Sequence, residues 1–299
     1  MSPAPAACRR AFLVGCPRSG TTLLQSLIAA HPEVVSFPET FFFSKVVPGP
    51  PHRWRRRLGF ASTEAPVVLR DLGALGVPAD PSPPRLPTVT IHGYARRFVR
   101  RMDRAAGDAS AGLWLEKTPS HARHIARITR EIPDVRFVHL IREGEAVAAS
   151  LRGAGNADPE VWNSSTALQL VQVWSRYLRY SEPWIGHPRH VFVSYERLVD
   201  ETADVMPRLC GFLGVSTDSA AIDQILSGYG ASSERVVGRL VRSAGQPALE
   251  TEPWKLDVSD QIANRNDVKF RQLFTPAEQA EVTVAVRREQ ALVASFPCL

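Results

Sequence analysis

The sequence of 299 residues lacks the features of membrane-spanning and disulfide-stabilised proteins. No apolar run approaches the roughly 20 residues that a membrane helix needs. The four cysteines have neither a metal-binding spacing nor the density of a small disulfide framework. Residues 1–10 are too short and too rich in proline for a signal peptide. We therefore expect a cytoplasmic protein with reduced thiols, no membrane partner and no bound metal.

Lysine is also scarce. Nearly all of the positive charge comes from arginine, and the lysines are Lys45, Lys117, Lys255 and Lys269. The base composition of the gene would explain this bias, and so would an anionic cofactor or substrate. A nucleic-acid partner is not expected, although the net charge is +6, because the basic residues do not alternate with aromatic residues along any one stretch.

Residues 15–22 form a phosphate loop that lacks the lysine of ATP-hydrolysing proteins. The loop follows a short apolar strand and precedes an apolar, helix-forming run. Gly15 and Gly20 allow backbone N–H groups to surround an anion at the N-terminus of that helix. Nucleoside-triphosphate loops place a lysine after the second glycine, whereas Thr21 stands there in this chain and the cation, Arg18, lies inside the loop. This arrangement argues against a kinase or an ATPase.

Strands and helices alternate in the first half of the chain, which predicts a P-loop-like, doubly wound α/β sheet, mostly parallel and flanked by helices. We expect a single domain over residues 1–299. Residues 44–112 interrupt the alternation with basic and proline-rich stretches, and we interpret them as a helical or irregular insertion that forms a lid. A mobile loop is predicted over residues 153–163 and an irregular tail over 230–275.

Charged residues follow four of the predicted strands. Arg18 comes after the first strand, Glu39 after the second, Lys117 after the third and Arg142 after the fourth. Each has an ordinary structural explanation when taken alone, such as a surface cation or a neighbour of a helix cap. Ligands of doubly wound sheets bind at the carboxyl ends of the strands. The convergence of four charges there favours a ligand site.

A second anion site is predicted where the fourth strand meets the next helix. Ser150 lies two helical turns after Glu143, so it faces the same side as the start of the helix beside Arg142. Arginine and serine can hold one phosphate together, through charge and a hydroxyl hydrogen bond. A nucleotide with phosphates on both its 5′ and 3′ sides would fit the two sites.

The two anion motifs together resemble those of the sulfotransferases that use 3′-phosphoadenosine 5′-phosphosulfate (PAPS). Residues 17–22 are similar to the 5′-phosphosulfate loop of that family, and Arg142 with Ser150 is similar to its 3′-phosphate site. The branch of tyrosylprotein and heparan sulfotransferases is the most similar. Its further likeness lies in residues 31–34, 38–40, 116–119 and 193–199. The resemblance is weak over residues 44–112 and beyond residue 230.

The resemblance implies a role for each matching residue. Glu39 matches the catalytic base of that branch, and Lys117, with Arg18, matches the groups that stabilise the transferring sulfuryl group. His121 is the competing candidate for the base, and is otherwise a substrate contact or a capping residue. Tyr195 would contact the adenine or the 3′-phosphate, or would be a core aromatic residue. The implied PAPS-binding residues are Arg18, Ser19, Gly20, Thr21, Thr22, Arg142, Ser150 and Tyr195.

The expected function is sulfuryl transfer from PAPS to a hydroxyl group of a small molecule, such as a phenol, an alcohol or a sugar. Transfer would be an in-line displacement catalysed by positioning and charge stabilisation, and this chemistry does not require a metal. Two alternatives stay open at this point. One is a nucleotide or small-molecule kinase with a degenerate phosphate loop, and the other is a non-catalytic nucleotide-binding protein.

Overall fold

Parallel strands form the centre of the molecule. The computed structural model describes residues 8–80, 88–157, 165–231 and 266–299. Its strands are β1 (Arg9–Gly15), β2 (Val34–Phe37), β3 (Leu113–Lys117), β4 (Arg136–Ile141) and β5 (His190–Ser194). They form a five-stranded sheet in the order β2–β3–β1–β4–β5, and each pair of neighbours is parallel. The predicted doubly wound α/β class is confirmed.

Helices connect the strands and cover both faces of the sheet. The α-helices in the described ranges are α1 (Thr21–Ala29), α2 (Phe42–Val46), α3 (Arg53–Arg57), α4 (Ala65–Asp71), α5 (Ile91–Asp108), α6 (Ile125–Glu131), α7 (Gly144–Ala157), α8 (Ala167–Ser181), α9 (Tyr195–Asp200), α10 (Thr202–Leu213), α11 (Ser219–Ala231), α12 (Asn266–Leu273), α13 (Pro276–Arg287) and α14 (Gln290–Ser295). A 3-10 helix (Pro119–His124) follows β3. Within these ranges, no helix has the length and apolar character of a membrane span.

Strand β1 shows why the chain forms a sheet covered on both faces. Its central residues, Ala11 to Val14, are fully buried, as expected of a parallel strand packed between two helical layers. Alternate side chains point to opposite faces. Phe12 therefore packs with the core that includes α4, α5 and α6, whereas Leu13 packs with the core that includes α1 and α10.

In its described residues, the predicted insertion contains α3, α4, α5 and the end of α2, and part of it belongs to the core. Phe98 of α5 stacks on Phe42 of α2 with ring centroids 4.3 Å apart, and both side chains are fully buried. The buried Arg101 guanidinium donates hydrogen bonds to the backbone carbonyl oxygens of Leu69, Val77 and Pro78. These contacts fix α5 against α2, α4 and the segment that follows α4. A lid role for the segment stays a prediction.

Two segments predicted to be irregular are partly helical. Helix α7 continues through Ala157, five residues into the loop predicted over 153–163, because residues 153–157 extend the same helical repeat. In the predicted tail over 230–275, residues 266–273 form α12, which packs against α7. Residues 230–231 are the last residues of α11. Residues 158–163 and 232–265 of the two predictions lie outside the described residues.

Candidate active site

The phosphate loop connects β1 to α1 and closes with left-handed backbone at two positions. Arg18 has φ of 70° and Gly20 has φ of 91°. Such values favour glycine, so Arg18 adopts them at a cost in strain. Ser19 donates its N–H to the Cys16 carbonyl oxygen at 3.1 Å, and its buried hydroxyl has no hydrogen-bond partner in the described part of the chain. Thr21 and Thr22 are the first residues of α1, so the loop ends where the helix presents unpaired N–H groups.

Tyr195 packs between the phosphate loop and Arg142. A Cβ atom added to Gly20 would lie 2.4 Å from Tyr195 Cε2, so only glycine allows this close approach. The Arg142 guanidinium carbon lies 4.0 Å from the centre of the Tyr195 ring, within the range of a cation–π contact. The Tyr195 ring thus links the end of β5 to the loop after β1.

Arg142 and Ser150 both contact Arg18. Arg142 Nη1 donates to the Arg18 carbonyl oxygen at 3.0 Å, and Arg18 Nε donates to Ser150 Oγ at 3.3 Å. Trp174 of α8 supports this arrangement by donating its indole N–H to the Arg142 carbonyl oxygen at 2.9 Å. Burial lowers the pKa of the Arg142 guanidinium, yet a guanidinium group keeps its charge at neutral pH. The two predicted anion sites are therefore neighbours.

Glu39 and Lys117 form an ion pair at the ends of β2 and β3. Lys117 Nζ lies 2.5 Å from Glu39 Oε1, and the two side chains are only 4% and 16% exposed. The sheet order places β1 between β3 and β4. Arg18, which follows β1, therefore comes between Lys117 after β3 and Arg142 after β4. All four predicted charges lie on one edge of the sheet.

Both ring nitrogens of His121, in the 3-10 helix after β3, have hydrogen-bond partners within the protein. His121 is fully buried, its Nδ1 lies 2.9 Å from Glu116 Oε2, and its Nε2 accepts the backbone N–H of Phe43 at 3.1 Å. Since Nε2 faces a donor, it carries no proton, and the proton on Nδ1 is donated to Glu116. This assignment follows from the hydrogen-bond partners. Neither nitrogen is available to a ligand in this arrangement.

Comparison with known proteins gives the family. The family model described as Sulfotransferase family matches residues 10–219. The chain belongs to the sulfotransferase family. The resemblance expected from the two anion motifs is thus confirmed.

Curated relatives are distant and longer than this sulfotransferase chain. The protein-tyrosine sulfotransferase of Drosophila melanogaster is 22% identical over 214 residues, which is 71% of this chain and 39% of the relative. Protein-tyrosine sulfotransferase 2 of Gallus gallus is 23% identical over 249 residues, which is 80% of this chain and 61% of the relative. The chain thus spans about 39% and 61% of the lengths of these two relatives.

Solved structures agree with the fold. The sulfotransferase domain from the Synechococcus PCC 7002 olefin synthase gives a TM-score of 0.58 at 23% identity, covering 97% of this chain and 98% of that domain. Mouse sulfotransferase SULT7A1 complexed with PAP gives a TM-score of 0.55 at 13% identity, covering 96% of this chain and 87% of that chain. These likenesses show the sulfotransferase fold.

Glu116 is the residue at this sulfotransferase site that the sequence did not single out. The carboxylate is fully buried and accepts hydrogen bonds from Thr40, Thr118 and His121. Burial alone would raise its pKa, but the hydrogen bonds from His121, Thr118 and Thr40 outweigh burial, so the pKa of Glu116 is lowered. The available signal was the segment Glu116-Lys117-Thr118-Pro119, in which only the lysine was assigned a role.

The described residues contain no group of three or more histidine, cysteine, aspartate or glutamate side chains that could hold a metal ion. The cations at the site are instead those of the chain itself, namely Arg18, Lys117 and Arg142. Each of them lies at or just after the end of a different strand of the sheet, and together they make this edge suitable for an anionic ligand.

Proposed function

We propose that the protein transfers a sulfuryl group from PAPS to a hydroxyl group of an acceptor. The observation that carries the proposal is the row of Glu39, Lys117, Arg18 and Arg142 along the carboxyl edge of a sulfotransferase sheet. A carboxylate at one end can serve as a base, and the cations beside it can hold the two anionic parts of a nucleotide. This order matches the order of groups in a sulfuryl donor with a 3′-phosphate.

The loop over residues 15–22 fits the 5′-phosphosulfate. The buried Ser19 hydroxyl lacks a partner in the described chain, and burying a polar group without a hydrogen bond costs about 1–3 kcal/mol. An anion at the N-terminus of α1 would supply that partner and would also meet the backbone N–H groups and the helix dipole. Arg18, inside the loop, would add charge at the same place.

Arg142 and Ser150 fit the 3′-phosphate. Both residues contact Arg18, so a second anion held by them would lie beside the first, as in a single nucleotide. Tyr195 lies against the guanidinium of Arg142 and would pack beside the nucleotide. The residues of the chain thus provide separate contacts for the 5′ and 3′ groups.

We assign the base to Glu39 rather than to His121. Glu39 is partly exposed at the edge, whereas His121 is fully buried and uses both nitrogens within the protein. When the donor is bound, it supplies the sulfuryl group, whose bond to the 5′-phosphate oxygen breaks as a bond to the acceptor oxygen forms. Glu39 takes the proton of the acceptor hydroxyl, and Lys117 and Arg18 stabilise the negative charge on the departing phosphate oxygen.

We propose a small-molecule hydroxyl acceptor with an apolar part. Phe41, two residues after Glu39, is 40% exposed and provides an apolar surface beside the base. The relatives named protein-tyrosine sulfotransferases act on a phenol by their names, so phenols are the first class to screen. Tyrosine-containing peptides should be screened beside them.

Calorimetric titration with 3′-phosphoadenosine 5′-phosphate (PAP), the expected product, tests the donor. We expect micromolar binding of PAP and no measurable binding of ATP with Mg²⁺, because the loop lacks the lysine of nucleoside-triphosphate loops. Preference for ATP with Mg²⁺ would replace this proposal with a kinase. Binding of neither nucleotide would also contradict it.

A further inference from the structure

Four consecutive backbone N–H groups, those of residues 40–43, are held by Glu116 or by side chains that donate to Glu116. Thr40 donates its N–H directly to Glu116 Oε1 at 3.3 Å. The next three N–H groups are accepted by Thr118 Oγ1, Thr40 Oγ1 and His121 Nε2, at 3.3, 3.2 and 3.1 Å. Helix α2 has no side-chain cap of its own at Phe41, so these contacts replace one.

The same three side chains all point their protons at Glu116. Thr40 Oγ1 and Thr118 Oγ1 donate to Glu116 Oε1 at 2.7 and 2.6 Å, and His121 Nδ1 lies 2.9 Å from Glu116 Oε2. A hydroxyl can donate one proton while it accepts another. Because the carboxylate accepts the proton of each hydroxyl and of the imidazole, the lone pair of each group is left to accept a backbone N–H. Glu116 therefore sets the direction of these hydrogen bonds.

This network lies next to the ion pair of the proposed active site. Thr40 follows Glu39 in the chain, and Glu116 precedes Lys117. The bond between Glu116 and Thr40 and the ion pair between Lys117 and Glu39 are therefore successive connections between the same two segments. Phe41, next in the chain, has φ of 50°, which is unfavourable for a residue other than glycine. The turn that carries Glu39 thus needs to be held in place.

We propose that Glu116 is a positioning residue, which holds the turn of residues 39–43 so that Glu39 stays beside Lys117 and faces the acceptor hydroxyl. The proposal rests on the proposed sulfuryl transfer for its catalytic consequence. Its structural content, the placement of Glu39 against Lys117, can be measured without any turnover. The carboxylate of Glu116 itself never meets the substrate, because it is fully buried.

The Thr40→Val substitution tests the proposal with little change in side-chain shape. Valine lacks the hydroxyl that connects Glu116 to the turn, whereas Thr40→Ser retains it and serves as the matched control. Glu116→Gln is the more direct change, but it removes a buried charge from three donors and can prevent folding. The Thr40 pair keeps the test decisive if that variant does not fold.

The ammonium signal of Lys117 in ¹⁵N-lysine NMR spectra reports the ion pair directly. With only four lysines in the chain, the Lys117→Arg variant assigns the signal by its loss. We expect a slowly exchanging ammonium in the wild type and in Thr40→Ser, and fast exchange with a shifted signal in Thr40→Val. An unchanged signal in folded Thr40→Val would overturn the proposal.

Kinetics and binding on the same variants give the second readout. We expect kcat to fall about 10- to 100-fold in Thr40→Val, the scale of a misplaced catalytic group, while Thr40→Ser and the affinity for PAP stay within a few-fold of the wild type. A variant that only loses thermal stability and keeps kcat would show that Glu116 is structural, against the proposal. If the wild type transfers no sulfuryl group, the proposed function is wrong. The NMR comparison still tests whether Glu116 holds Glu39 beside Lys117, because it does not depend on turnover.

Discussion

At the scale of single residues, the site depends on charged side chains that touch one another across different strands. Arg142 is the clearest case, because it contacts Arg18, Tyr195 and Trp174. Its carbonyl oxygen accepts from Trp174, and its guanidinium contacts Arg18 and Tyr195. The position of the side chain is therefore fixed before a ligand binds. A fixed guanidinium loses little freedom when it binds a phosphate.

Arg142→Ala should therefore separate the two anion sites. We expect affinity for PAP to fall roughly 10- to 150-fold, which corresponds to about 1.5–3 kcal/mol for hydrogen bonds to a charged group. Affinity for 5′-AMP, which has no 3′-phosphate, should change much less. Calorimetry with both nucleotides measures the difference. Arg189→Ala is the control, because Arg189 is an exposed arginine that precedes β5 and is distant from Arg142 in the sequence. Equal losses for both nucleotides would contradict the assignment of the 3′ site.

Residue-level prediction from the sequence had a clear physical limit. Arg18, Glu39, Lys117 and Arg142 were predictable as neighbours because parallel strands bring their carboxyl ends to one edge. Glu116 was not, since a glutamate beside a lysine on a short strand looks like a solvated residue. The position is interior because Glu116 pairs with Phe37 of β2 on one side and with Phe12 of β1 on the other. The choice between Glu39 and His121 likewise needed the partners of both imidazole nitrogens.

At the scale of elements, continuous apolar runs such as β1 and β4 predicted the sheet well, because buried parallel strands have few alternatives. The insertion was harder to predict, since its arrangement depends on tertiary contacts. The hydrogen bonds from Arg101 to carbonyl oxygens within and after α4 have no signature in local sequence. The same holds for Tyr195, whose ring lies on Gly20 although the two residues are far apart in the chain.

Gly20→Ala tests the contact between the phosphate loop and the end of β5. The added Cβ would meet Tyr195 Cε2 and Cδ2 at 2.4 and 2.5 Å. The alanine would also have to adopt the left-handed backbone of Gly20, which costs an L-residue about 1–2 kcal/mol. Gly186→Ala is the matched control, because Gly186 has φ of 78° and nothing lies within 4 Å of its added Cβ. We expect both variants to lose stability in thermal unfolding, and Gly20→Ala to lose more, because it adds the clash with Tyr195 to the backbone cost that both variants share.

Only Gly20→Ala should weaken the binding of PAP, by about tenfold or more, because Tyr195 must move away from the loop and from Arg142. Calorimetric titration of the two alanine variants measures this difference. Wild-type affinity in Gly20→Ala, or an equal loss in Gly186→Ala, would show that the contact does not shape the nucleotide site.

At the scale of the whole molecule, buried histidines link stability to pH. His139 and His190 lie side by side on β4 and β5, with His139 Nε2 2.9 Å from His190 Nδ1. Burial, with a smaller effect from His187, lowers the pKa of His190 to about 3. Burial, with a smaller effect from His190, also lowers the pKa of His139 well below its usual value. Burial, followed by nearby cations, also lowers the pKa of His124 to about 3. All three are therefore neutral in the folded protein at pH 5 to 7.

The folded protein should lose stability as the pH falls from 7 to 5. The unfolded chain takes up protons on these histidines near pH 6.5, whereas the folded chain does not, so the free energy of unfolding decreases by up to about 1.4 kcal/mol per pH unit for each histidine. Denaturant unfolding at several pH values measures this slope. His190→Asn keeps a polar group opposite His139 and removes one titrating group. The free energy of unfolding of this variant should therefore change less with pH, by the contribution of one histidine. A slope unchanged by His190→Asn would mean that His190 does not contribute to this pH dependence.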